Sequence, residues 1–116
     1  MTQIEAVSFC ESEQEVPAHL IEVDSQEENQ AIFNEEERRK TCRGYRKTRY
    51  WMGIKKRRTG DWVRESDGKS ITFSNWSGNR DYTCAIIHKI GWMSKECHLS
   101  GNSAMTIYYT ALCELD

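Results

Sequence analysis

The chain is organised around Trp51-Met52-Gly53-Ile54, a tetrad set within an ordered series of tryptophan, glycine and cysteine landmarks. Before it come Ala6, Cys10 and Ala18-His19-Leu20. After it follow Asp61-Trp62, Ser66-Asp67-Gly68, Asn75-Trp76, Cys84, Gly91-Trp92, Cys97 and Cys113-Glu114. Each piece alone carries little information. In one order, spread over residues 6 to 114, they point to one arrangement.

Local signals place elements between the landmarks. Thr2-Gln3-Ile4-Glu5 reads as a capping box that opens a helix at about 2–14, with Ala6 and Cys10 one turn apart on the same face. Pro17 ends that segment, and Ala18 to Val23 reads as a short strand or extended run. Ser25-Gln26-Glu27-Glu28 is a second capping box, opening a helix to about Glu37 with Ile32 and Phe33 facing inward. Tyr50 to Ile54 is an apolar strand whose Gly53 permits close approach of another group. Val63 to Ser74 reads as a hairpin turned at Asp67-Gly68. Cys84 to Ile87 and Gly91 to Met93 form a strand pair, and Ile107 to Leu115 is the last strand. Two helices followed by short strands make an α+β domain. A length of 116 residues suits one domain, small enough to benefit from cross-links.

The order of landmarks resembles that of C-type lectin-like domains, whose signature is a tryptophan-isoleucine-glycine-leucine tetrad, an aspartate-glycine turn, an asparagine-tryptophan pair and paired cysteines. The resemblance covers nearly the whole chain and implies a disulfide-stabilised α+β fold over residues 1–116, with two helices and short antiparallel sheets. Such domains begin with a strand that pairs with the C-terminal strand, whereas this chain opens at the helix. That difference implies a free edge along Ile107–Leu115, open to strand addition and to homo- or heterodimer formation.

Five cysteines, none in a Cys-x-x-Cys pair and none at zinc-finger spacing from His19, His88 or His98, read as disulfides of an oxidising compartment rather than a metal site. Spacing leaves three pairings open for any four of them. The resemblance implies Cys10 with Cys113 and Cys84 with Cys97. On a chain-entropy account these contribute up to about 4.7 kcal/mol and about 3 kcal/mol, respectively. Cys42 is then left over, as an intermolecular disulfide or a free thiol. An extracellular location follows from the cysteines, with any leader supplied by a longer parent chain; no apolar stretch approaches the ~18 residues of a membrane span.

Sugar-binding members of the family hold calcium with a proline-centred triplet in a long loop and a Trp-Asn-Asp triplet on the next strand. Calcium takes about 6–8 oxygen ligands, several of them carboxylates. Here only residues 77–83 separate Trp76 from Cys84, with no proline and with Arg80 in place of further acid. The second triplet reads Trp92-Met93-Ser94. The expectation is no calcium, no cofactor and no metal site. Trp51, Trp62, Trp76 and Trp92 coincide with the family's packing landmarks, so they read as core rather than as stacking platforms.

A net charge of −2 conceals a reversal. Residues 1–37 hold eleven acidic side chains and no lysine or arginine, while residues 38–58 hold eleven basic ones. Arg43, Arg46, Lys47, Arg49, Lys55, Lys56, Arg57 and Arg58 read as two basic loops flanking the tetrad strand. They form a candidate site for an anionic ligand such as a sulfated glycan or acidic protein; nucleic acid is not expected. The alternative is neutralisation of these loops by the acidic helices. The segment Arg38–Arg49, with Cys42, reads as a long basic insertion. No phosphate loop, nucleophile elbow or catalytic triad is recognisable, so no catalytic residues are assigned. The reading is a non-catalytic, calcium-independent recognition module for a protein ligand, with a lectin for acidic carbohydrates as the alternative.

Overall fold

A computed structural model describes residues 1–12, 15–43, 47–78, 80–88, 91–99, 101–102 and 107–115, with backbone alone at 36–43, 47–48, 88, 101–102 and 107–108. Helix α1 spans Gln3–Ser12. Its capping box is reciprocal: the Thr2 N–H donates to Glu5 Oε1 at 2.9 Å and the Glu5 N–H donates to Thr2 Oγ1 at 3.3 Å. Strand β1, Ala18–Leu20, follows, and then helix α2, Gln26–Arg43. At its start the Glu28 N–H donates to Ser25 Oγ, while the Glu28 carboxylate reaches one residue further back, to the Asp24 N–H.

Helix α2 runs six residues beyond the expected end at Glu37, through Cys42 to Arg43. The charge reversal, read as a boundary, is the helix's own pattern. Acid in the first turn and base in the last complement the helix dipole, and Glu35 precedes Arg38 and Arg39 at i+3 and i+4 spacing. Strand β2, Lys47–Lys56, begins three residues after the helix, so only residues 44–46 link them. There is no long basic insertion.

The remaining strands are β3 (Trp62–Arg64), β4 (Cys84–His88), β5 (Gly91–Lys95), β6 (Gly101–Asn102), β7 (Ile107–Ala111) and β8 (Cys113–Leu115). Five of them join β2 in a six-stranded sheet of order β5-β4-β2-β7-β6, with β3 beside β2. β1 and β8 make a separate antiparallel pair. The pairings are antiparallel except β2 with β7, which run parallel from Lys47↔Ile107 to Trp51↔Ala111. The expected last strand is therefore two strands broken at Leu112, whose carbonyl accepts the Ile21 N–H at 2.8 Å. β7 pairs with β2 from Ile107 to Ala111 and with β6 at Ile107 and Tyr108, and β8 pairs with β1, so the stretch expected to be one free edge is paired on one side throughout and on both at its start.

Alternation along β2 and β4 sends successive side chains to two separate cores. Tyr50, Met52, Ala85 and Ile87 join Ile32 of α2, Trp62 and Trp92 on one face. Trp51, Cys84 and Ile86 join Ala6, Cys10 and Leu20 on the other. The second face carries both disulfides, Cys10–Cys113 and Cys84–Cys97. Trp51 is fully buried there, its indole N–H donating to the Met1 carbonyl at 2.8 Å.

Gly53 is where the chain between β1 and α2 crosses β2. A Cβ on Gly53 would lie 2.6 Å from the Leu20 carbonyl oxygen. Its N–H donates to Ile21 O and its carbonyl accepts from Glu65, both at 2.7 Å. These bonds turn it out of the β2–β4 ladder, whose register slips between Trp51 and Lys55. The Asp67-Gly68 turn has Gly68 at φ 71°, with its N–H bonded to Arg64 O at 2.9 Å.

Candidate functional site

The residues at the positions that the resemblance assigns to calcium ligands are engaged in packing. Trp92 is fully buried, and its indole N–H donates to Asn29 Oδ1 of α2 at 2.9 Å. Ser94 is 5% exposed and its Oγ accepts the Tyr82 N–H at 3.3 Å. Asp81 is the one carboxylate in residues 77–95. Calcium needs several converging oxygens, and β5 offers none of them as carboxylate.

The basic residues singled out by sequence divide into two groups. Arg43 ends α2 and Lys47 starts β2, with their side chains outside the description; Arg46 lies outside the described residues altogether. Arg49 is half-buried on β2. The Cys42 thiol is likewise outside the described side chains. Lys55 and Lys56 close β2, and Arg57 and Arg58 sit in the turn to β3. Strand and helix thus carry most residues that the sequence assigned to loops.

The partners of Lys55 and Arg57 lie outside the acidic helices. Lys55 Nζ pairs with Glu65 Oε1 at 3.6 Å. The Arg57 guanidinium donates to Asp61 Oδ2 from Nε at 3.0 Å and from Nη2 at 2.5 Å, and the Thr59 hydroxyl donates to Asp61 Oδ1. The Thr59 hydrogen bond, then the Arg57 guanidinium, hold the Asp61 carboxyl below its ordinary pKa. Arg58 is exposed and makes no side-chain bond among the described residues. Arg57, Arg58, Thr59 and Asp61 line a surface hollow of about 570 Å³.

Beside this turn, cations cover aromatic rings. Lys56 Nζ donates to the Arg80 carbonyl and lies 5.9 Å from the Trp62 ring centroid. The Arg80 guanidinium lies 5.8 Å from the Trp76 ring centroid. The Trp62 and Trp76 rings are tilted at 46° with centroids 4.6 Å apart, and Trp76 meets buried Trp92 edge-on at 5.6 Å. Such cation contacts contribute about 0.5–1 kcal/mol at exposed sites. Trp51, Trp62 and Trp92 are core, as their landmark positions imply; Trp76 is half-buried at the boundary. Arg80 is the member that sequence reasoning missed. It stands 24 residues from Lys56, and only the β2–β4 pairing brings the two together.

Two helices, a mixed sheet, two disulfides and this tryptophan core define the architecture of a C-type lectin domain. The chain belongs to the lectin C-type domain family, whose family model matches residues 1–104. Family members are carbohydrate-binding or protein-binding modules, generally non-catalytic and typically extracellular. Among solved structures, the carbohydrate-recognition domain of mouse scavenger receptor C-type lectin matches with TM-score 0.62 and 23% identity, over 84% of this chain and 73% of that one. Its human counterpart matches with TM-score 0.62 and 24% identity, over 84% and 75%. C-type lectin CEL-I from Cucumaria echinata matches with TM-score 0.64 and 18% identity, over 84% and 76%. These likenesses concern the fold. Comparison with curated proteins gives no match. No described helix is long and apolar enough to cross a membrane.

Proposed function

We propose that the chain is a non-catalytic, extracellular recognition module that binds without calcium and takes a protein surface as its ligand. The observation that carries this reading is the alternation of sign around the β2–β3 turn. Arg57 is matched by Asp61, Lys55 by Glu65 and Arg64 by Asp67, while Arg58 and Arg80 stand exposed between them. A uniformly anionic chain meets carboxylates as often as cations on such a surface. A protein partner can place its own charges against both. The buried Trp92 and Ser94 support calcium independence, since neither is a ligand that calcium would select.

A second reading, recognition of sulfated or otherwise acidic glycans, rests on Arg80 over Trp76 and on unpaired Arg58. One experiment separates the two: the purified chain is applied, in chelator, to a glycan array and to intact cells before and after protease treatment. Chelator-resistant cell binding that protease removes, with a blank array, is the expected result. Binding to sulfated glycans that falls with salt and with Arg58→Glu establishes the second reading. Binding to neutral sugars that the chelator abolishes overturns both.

A further inference from the structure

Neither the aromatic core nor the basic rim uses the polar side chains of Asn75 and Ser77. Asn75-Trp76-Ser77 is the only stretch of the 116 residues in which serine or threonine stands two places after an asparagine. With a middle residue other than proline, that pattern is the acceptor sequence for asparagine-linked glycosylation. The middle residue here is a tryptophan at the margin of the core, and an acceptor buried with it has no room for a glycan. The direction in which Asn75 leaves the backbone therefore decides whether the triplet is usable.

Trp76 bridges Trp92 of β5 in parallel register. The Ser77 N–H donates to the Trp92 carbonyl and the Trp92 N–H donates to the Asn75 carbonyl, both at 2.8 Å. These bonds lay the triplet extended along the outer edge of β5, the end strand of the six-stranded sheet. Side chains of an extended segment alternate between its two sides. Trp76 turns inward to Trp62 and Trp92, so Asn75 and Ser77 turn the other way.

Gly91 marks that other side. A Cβ on Gly91 would stand 3.0 Å from the Ser77 Cβ and 2.7 Å from the Asn75 carbonyl oxygen. As a glycine at φ 131°, it leaves the space beside the triplet open. Asn75 and Ser77 are partly exposed, and the flanking Ser74 and Gly78 are exposed. Neither the Asn75 nor the Ser77 side chain makes a hydrogen bond among the described residues. The inward tryptophan is thus compatible with an outward acceptor.

We propose that Asn75 is an asparagine-linked glycosylation site whose substrate is an oligosaccharide carried on a lipid diphosphate. The inference rests on the extracellular reading above, because this acceptor pattern is used in secreted chains. In the transfer, Asn75 Nδ2 forms a bond to the anomeric carbon of the first sugar. The bond from that carbon to the diphosphate oxygen breaks, and the lipid diphosphate leaves with the electron pair. One amide proton passes to a base of the transferase. Ser77 supplies the hydroxyl that the acceptor pattern requires.

Once attached, the glycan stands at the outer edge of β5. A bulky, hydrophilic chain there opposes pairing with another strand, as charges and proline do at other sheet edges. Arg80 lies over the ring of Trp76, which leaves the other side of the segment, so the basic rim stays uncovered.

The test expresses the full chain behind a secretion leader in a eukaryotic cell line and weighs the purified product. The expected result is a mass above that of the polypeptide, removed by peptide N-glycosidase. That enzyme leaves aspartate in place of Asn75, a mark read by peptide mass spectrometry that needs no variant to fold. Asn75→Gln and Ser77→Ala each abolish the added mass, whereas Ser77→Thr and Asn79→Gln keep it. Secretion of the chain with both disulfides formed and at bare polypeptide mass overturns the site and leaves the extracellular reading standing. Retention in the cell with reduced cysteines overturns that reading and the site with it. Added mass that persists in Asn75→Gln also overturns the proposal.

Discussion

The two faces of the central sheet solve the same packing problem by different means. One face closes α1, β1 and β8 over Trp51 and is joined by both disulfides. The other has no cross-link among the described residues and relies on α2 and on tilted and edge-on ring contacts that run from Trp62 through Trp76 to Trp92. The bonded face borders the contact between His19 and Glu114 across β1 and β8. The aromatic face ends at the surface in Lys56 and Arg80, so the exposed rim is an extension of its core. The difference teaches that the exposed basic rim grows from packing, while the covalent work is placed elsewhere.

The largest test of that division removes the long disulfide. The pair Cys10→Ala and Cys113→Ala is expected to cost up to about 4.7 kcal/mol of unfolding free energy, against about 3 kcal/mol for Cys84→Ala with Cys97→Ala. Urea midpoints measure both, and the reverse order would mean that chain entropy does not govern the bonded face. On the aromatic face, Trp92→Phe strips Asn29 Oδ1 of its buried donor. It is expected to cost about 1–3 kcal/mol, with the rim loosening with it. An unchanged midpoint would mean that the indole hydrogen bond is dispensable.

Gly53→Ala, at the crossing of β2 by the chain after β1, forces a methyl against the Leu20 carbonyl. The expected cost is about 1–3 kcal/mol by thermal denaturation, with ligand binding unchanged if the faces are independent. The smallest effect belongs to Asp67. Its carboxyl is held below the ordinary value of 3.8 by the Lys69 N–H first and by Arg64. A lowered folded pKa gives stability that is present above the unfolded value and lost as pH falls through the folded one. Asp67→Asn should therefore lower stability slightly at neutral pH and bring the two proteins together as pH falls below about 4, and equal stability of the two at neutral pH would count against the assignment.

Much of this was legible because the informative residues act locally or carry family spacing. The capping residues Thr2 and Ser25 fix helix starts within a few residues, and Asp67-Gly68 fixes a turn. The tetrad and cysteine order led to the family. What escaped was set by partners distant in sequence. Arg38 to Arg43 looked like a loop because charge sign was taken as a boundary, although those residues suit a helix C-terminus. Ile107–Leu115 looked like one edge strand because nothing local marks that its halves join different sheets. The contacts of Arg80 with Lys56 and of His19 with Glu114 depend on long-range pairings that no local pattern encodes.

The parallel pairing of β2 with β7 has a consequence for how the chain finds its fold. The β4–β5 hairpin is local, and Cys84–Cys97 spans only 13 residues, so loop closure there is cheap and fast. Cys10–Cys113 spans 103 residues and adjoins a strand pair that requires β7 to reach β2 from the far end of the chain. Oxidative refolding should then proceed from the short bond to the long one. During the wait Cys10, Cys42 and Cys113 are all thiols; an added oxidant such as glutathione disulfide can join any two of them, and attack of the third thiolate on a non-native bond sets how quickly the native pairing emerges.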